Sequence, residues 1–135
     1  MSTRYPPDDP REWLNRAASS FQLAKQRSPR ILLEDLCVEA YVCAEKALKA
    51  VYVLKGAPAP AVRSLDVLIA GLAERGLSID NLEQHARKLA SFGPGAEYPK
   101  ATEPVTEDEY GWAIDASHEI LDWARNAVHA VPAYA

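Results

Sequence analysis

The sequence has little with which to staple, span or chelate. No apolar run approaches the roughly 20 residues that a membrane-crossing helix needs. The first ten residues, MSTRYPPDDP, are polar and proline-rich, so no signal-peptide core is read there. Cysteine occurs only twice, at Cys37 and Cys43. Six positions apart on a helix, the two project about 120° from each other, which disfavours a bridge between them. Buried free thiols in a reducing cytosol are the expectation, and with them a cytoplasmic location. The three histidines, His85, His118 and His129, are scattered, and no metal-ligand spacing results. No metal or cofactor is expected. Gly-rich phosphate loops, nucleophile elbows and zinc-binding pairs are missing. So is an excess of positive charge. The 15 basic residues face 19 acidic ones, for a net charge of −4, so no strongly basic nucleic-acid grip is advertised. No stretch alternates apolar and polar residues for long enough to read as a strand.

What is present reads as helix. At 135 residues, 48% of them hydrophobic, the chain can bury a core without staples. One domain over 1–135 is expected, with flexible ends at 1–8 and 130–135. A first helix opens at DDPREWL: Asp9 suits the cap, Pro10 the first turn, and Glu12 has capping-box spacing. Trp13, Leu14, Ala17, Ala18, Phe21 and Ala24 then make one apolar stripe. Pro29 stops it. A second helix spans about 31–55 and ends at Gly56. A third spans about 64–74, a weakly amphipathic fourth about 80–91. The Gly/Pro-rich loop FGPGAEYPKATEP follows, and loops that long are often functional. The last helix opens on a Thr106/Glu109 capping box and runs to about Val128. The expected fold is all-α, an antiparallel bundle of about five helices around a four-helix up-and-down core.

Two of these helices carry more apolar surface than one face needs. In the second, Leu36, Cys37, Ala40, Cys43, Ala44, Ala47, Leu48, Val51 and Leu54 fill one arc at about 100° per residue. Val38, Val42, Tyr52 and Val53 sit among the charges opposite. In the last helix, Tyr110, Ala113, Ile114, Leu121, Ala124 and Val128 share a stripe, and Trp112, Ala116 and Trp123 form a second one. Either the bundle encloses these helices on several sides, or the second stripes meet another subunit. Tryptophan buries much area at low entropic cost, which favours a dimer interface at the displaced stripes.

Groups able to do chemistry are few. His118 lies near Asp115 and Asp122, and His85 beside Arg87. Glu34, Asp35 and Glu39 crowd one face without a partner that would give them a task. Arg11, Arg16, Lys25, Arg27 and Arg30 form a modest basic patch. Arg125 and His129, four apart, share a helix face. Such a pair suits RNA cleavage, the cation holding phosphate and the imidazole moving the 2′-hydroxyl proton. It equally suits a helix C-terminus, where both complement the dipole.

Four segments together resemble the HEPN domain family. The stretch ILLEDLCVEAYVCAEKALKAVYVLKG is similar to its signature helix, with an acidic-Leu-Cys start at Asp35–Cys37 and AEKALKA ahead of Gly56. DPREWLNRAASSFQLAK resembles its opening helix. RSLDVLIAGLAERG resembles its third, with Ser64 where a His is usual. EYPKATEPVTEDEY resembles its Tyr-Pro loop and capped last helix. The resemblance implies an antiparallel bundle that dimerises, often partnered by a minimal nucleotidyltransferase as toxin and antitoxin. Catalytic members are metal-independent endoribonucleases carrying an Arg, four to six intervening residues and a His. Here Arg125 and His129 have three between them, Glu97 stands where an Arg is often found, and Glu39 where a His is common. The resemblance therefore implies a non-catalytic, dimeric binding partner, with an RNA-cleaving toxin using Arg125 and His129 as the alternative and a purely structural bundle as another. It places a nucleotide or RNA site near the long loop and the polar face of the second helix. Tyr98 would stack on a base, and Lys100 and Lys46 would meet phosphate.

Overall fold

The computed structural model describes residues 3–100 and 104–130. Among them every regular element is a helix and there is no strand: α1 (Pro10–Ala24), α2 (Leu33–Leu54), α3 (Leu65–Glu74), α4 (Leu82–Leu89) and α5 (Glu107–His129). A 3-10 turn, Ala90–Phe92, extends α4. The five-helix, all-α bundle expected from the sequence is the fold found. The flexibility expected of the C-terminal end concerns, from 131 on, residues outside those described.

Local chemistry sets the helix ends. Asp9 accepts the Arg11 N–H at 2.9 Å, and Pro10 fills the first turn of α1. Glu12 does not close the expected capping box. Its carboxylate reaches past Asp9 to Arg4 Nε (3.1 and 3.0 Å) and the Tyr5 N–H (3.1 Å). Asn15 Nδ2 donates to the same carboxylate (3.2 Å) and to the Thr3 carbonyl (2.7 Å). Trp13 Nε1 donates to the Pro7 carbonyl at 2.8 Å. Residues 3–8, expected to be loose, are thus strapped along α1. At α5 the capping box is complete: Thr106 Oγ1 accepts from Glu109 N–H, and Glu109 accepts from Thr106 N–H. Gly56, at φ +79°, takes the left-handed position that ends α2.

The strap has a pH signature. Hydrogen bonds from Arg4, Tyr5 and Asn15 lower the Glu12 pKa to about 2. A depressed carboxylate adds stability above its unfolded pKa of about 4.3, and that stability is lost as pH falls through the folded value. Trp13 fluorescence is therefore expected to change between about pH 4 and pH 2 as the strap releases, and Glu12→Gln should abolish that step.

The second helix is the axis of the bundle. α1, α5 and α3 all pack against it. α5 runs antiparallel to α1, since Tyr110 OH donates to the Ala24 carbonyl (2.7 Å) and, further on, His118 meets the Phe21 ring (5.6 Å). Small residues let these helices close up. Ala40, Ala44 and Ala47 of α2, Ala17 and Ala24 of α1, and Ala113 and Ala124 of α5 are all fully buried. Ser117 Oγ, equally buried, donates to the Ala40 carbonyl at 2.9 Å, so its hydroxyl is satisfied.

This enclosure corrects two expected contact residues. Tyr52 is 3% exposed, lies under α3, and donates its hydroxyl to the Leu68 carbonyl at 2.7 Å. Ala116 is 1% exposed and belongs to the core. Neither is available to a second subunit. The polar side of α2 is covered too. Glu45 and Lys49 are buried and paired at 2.8 Å, and Arg63 Nε donates to the same carboxylate at 3.0 Å. Tyr41 OH holds the Arg63 carbonyl at 2.7 Å, which fixes the loop before α3 onto this pair.

Cys37 and Cys43 are free and buried, as expected. Burial pushes their thiols up to about 12 and about 11 respectively. The thiolate is the reactive form, so neither should react with a disulfide reagent at pH 8 in the folded protein. Both should titrate after denaturation.

A cationic cleft beside the signature helix

The sequence candidates fall in separate places. Arg125 is half-buried on α5, 3.6 Å from the Asp122 carboxylate, which also lies 3.7 Å from His118 Nδ1. His129 is exposed at the last position of α5. Asp122 thus stands between a histidine and the arginine on one face. Tyr98 is 72% exposed in the loop after α4. Lys100 Nζ donates to the Ser91 carbonyl at 2.6 Å, which closes that loop on itself. Residues 101–103 of the loop lie outside those described.

Lys46 is elsewhere. Its ammonium donates to Ser20 Oγ at 2.9 Å, across the α1–α2 seam. There it lines a cleft of about 470 Å³ with Arg4, Tyr5, Pro7, Glu12, Trp13 and Arg16. Neither Tyr98 nor Lys100 borders this cleft, so the structure divides the three residues expected to share a ligand. The outer wall is the strapped N-terminal segment. The sequence reading missed that wall because a short polar, proline-rich end looks like a tail. The one signal there was Glu12, read as a capping-box residue, whose carboxylate meets Arg4 and the Tyr5 N–H upstream instead.

The basic patch expected around α1 also resolves into parts. Arg11 is paired with Asp9 (2.7 Å) and covers the Tyr5 ring at 3.9 Å. Arg27 grips Glu107 with two bonds of 2.7 Å. The Glu34 carboxylate, without a task in sequence, accepts the Val105 N–H at 2.6 Å and ties the start of α5 to α2. Arg16 keeps an exposed side chain with no carboxylate partner among the described residues.

Val38, Val42 and Val53 are half-buried on α2, whereas Trp112 is 55% exposed on α5. Trp123 is half-buried and donates Nε1 to the Ser78 carbonyl at 3.1 Å, so it braces the segment before α4. With a central helix enclosed by α1, α3 and α5 and a last helix opened by a capping box, the chain can be set against known families. The family model of the HEPN domain matches residues 10–127.

The chain belongs to the HEPN family.

Searches among curated proteins and among solved structures found no match. Within the matched span, the cysteine-bearing, alanine-rich arc of α2 is the surface against which α1 and α5 close. The matched span starts at the first residue of α1, so the strap that walls the cleft lies outside it. Among the described residues no helix is long and apolar enough to cross a membrane, and no three metal-ligating side chains cluster.

Proposed function

We propose that this HEPN protein is a non-catalytic binding protein that acts as a homodimer and partners a minimal nucleotidyltransferase in a toxin–antitoxin-like pair in the cytoplasm. The observation that carries the non-catalytic reading is the state of Arg125 and His129. An RNA-cleaving pair must hold one phosphate between cation and imidazole. Here Asp122 draws the guanidinium, His129 ends the helix in solvent, and only three residues separate the two. Trp112 supports a protein contact, because a large exposed indole is costly to leave in water and gains most from burial against another chain. With Tyr52 and Ala116 in the core, the contact surface reduces to Trp112, with Val38, Val42 and Val53 of α2 and the edge of Trp123 as partly buried contributors.

Purified protein incubated with unstructured RNA, beside a His129→Ala variant, tests this directly. The expected result is intact RNA with both proteins, and co-purification of a nucleotidyltransferase when the two are co-expressed. Cleavage by the parent that disappears in the variant would establish the alternative, a metal-independent endoribonuclease using Arg125 and His129.

A further inference from the structure

We infer that self-association of this chain joins two unlike surfaces: the acidic outer face of α5, which carries Trp112, seats against the cationic cleft of a second copy. The inference rests on the homodimer proposed above and names the surfaces that meet. Each of the two is incomplete on a single chain. Asp108, Trp112, Asp115 and Glu119 follow one another on α5 at i, i+4, i+7 and i+11, which puts them on one face. All four are exposed, and the three carboxylates have no cation partner among the described residues. The cleft has the opposite excess. Arg4 is neutralised by Glu12, but Lys46 meets only the neutral Ser20 hydroxyl and Arg16 has no carboxylate partner among the described residues.

Charge decides which surfaces can meet. A dimer that set Trp112 against Trp112 would bring the carboxylates of both α5 faces together, and cleft against cleft would crowd the cations; like-charge contacts of this kind cost several kcal/mol. Face against cleft matches the signs, and a two-fold axis makes that contact twice. Polarity and size fit as well. The cleft, about 470 Å³, is walled by Pro7 and by Trp13, whose ring is already fixed through its bond to the Pro7 carbonyl. A preset apolar wall takes up an indole at little ordering cost, and Trp112 is 55% exposed. The valines of α2 then gain a role. Val38, Val42, Lys46 and Val53 share one stripe of that helix, so partly buried valines border the lysine of the cleft. Pro7 also lines the neighbouring hollow that Val53 borders. An apolar centre with a charged rim is the ordinary anatomy of a protein contact.

The test is a charge swap read by sedimentation. One variant reverses the cleft, Arg16→Glu with Lys46→Glu; the other reverses the face, Asp115→Lys with Glu119→Lys. Each alone should sediment as one chain, because like charges now oppose. Mixed in equal amounts they should sediment as two, since the reversed cleft meets the reversed face and the untouched pair meets on the other side. Recovery on mixing also shows that both variants are folded. Arg16→Glu alone changes only an exposed side chain, should melt like its parent, and should weaken the dimer about tenfold. The parent dimer should loosen near 1 M salt, where screening reaches about 3 Å. Either double variant dimerising alone as tightly as the parent, or an unchanged dissociation constant for Arg16→Glu, would overturn the two surfaces while leaving the homodimer standing. Two monomeric variants whose mixture stays monomeric would overturn their pairing. Growth of the parent beyond two chains would overturn the two-fold closure, whereas a monomeric parent refutes the homodimer itself.

Discussion

Replacing Glu45 by Ala should lower the stability of the domain by about 3–5 kcal/mol, the cost of leaving a buried charge without its partner. Glu45 and Lys49 lie one turn apart on α2, with side chains only 10% exposed, and their charges meet at 2.8 Å. Arg63 is different. It is 41% exposed and can turn to water when the carboxylate is gone. The Lys49 ammonium has no such route, so the penalty falls on it. Removing both charges together should therefore be far milder than removing one. Glu45→Leu with Lys49→Met is expected to recover most of the loss in a urea titration, since well-packed apolar residues often replace a buried pair without cost. If Glu45→Ala costs less than about 1 kcal/mol, Lys49 reaches solvent and the pair is a surface bridge.

The second large effect is at Gly71, in the middle of α3. Alanine is the better helix former by about 1 kcal/mol, so an exposed site would gain from the change. Here a Cβ would sit 2.1 Å from the Tyr52 hydroxyl oxygen and 3.2 Å from the ring carbon bearing it. Tyr52 cannot retreat cheaply, because it is buried and its hydroxyl is bonded to the Leu68 carbonyl. Gly71→Ala should force that side chain off its bond and into its neighbours, for a net loss of about 1–3 kcal/mol. Tyr52→Phe removes the clashing oxygen. The double variant should be more stable than Gly71→Ala alone, a coupling that a thermal double-mutant cycle measures. Additive losses would mean that α3 shifts as a body instead.

These two sites show where the sequence was readable and where it was not. Helix ends were legible because their chemistry is local. Asp9 and Pro10 start α1, Thr106 and Glu109 start α5, and Gly56 ends α2. The alanine arc of α2 was equally plain, since periodicity marks a buried face. Its second apolar side was ambiguous for a physical reason: a surface stripe and a stripe under a third helix have the same spacing. Tyr52 was placed outside on that account, while α3 covers it. Glu45 and Lys49 look like any exposed i, i+4 pair until Arg63 folds over them from 18 residues away. The cleft was the least legible part. Of its lining, Lys46 was named as a ligand residue and Arg16 as part of a basic patch. Nothing in the spacing joins them to Arg4 and Tyr5, because the Glu12 side chain makes that connection across a proline-rich turn. Tyr98 and Lys100 were drawn in by a long loop that closes largely on its own atoms.

The central claim, that this HEPN domain works by joining another copy of itself, is tested most directly by sedimentation equilibrium at micromolar concentration. A chain of 14.8 kDa should sediment at about twice that mass, and Trp112→Glu should return it to the mass of one chain. A single chain's mass for the unmodified protein would contradict the account.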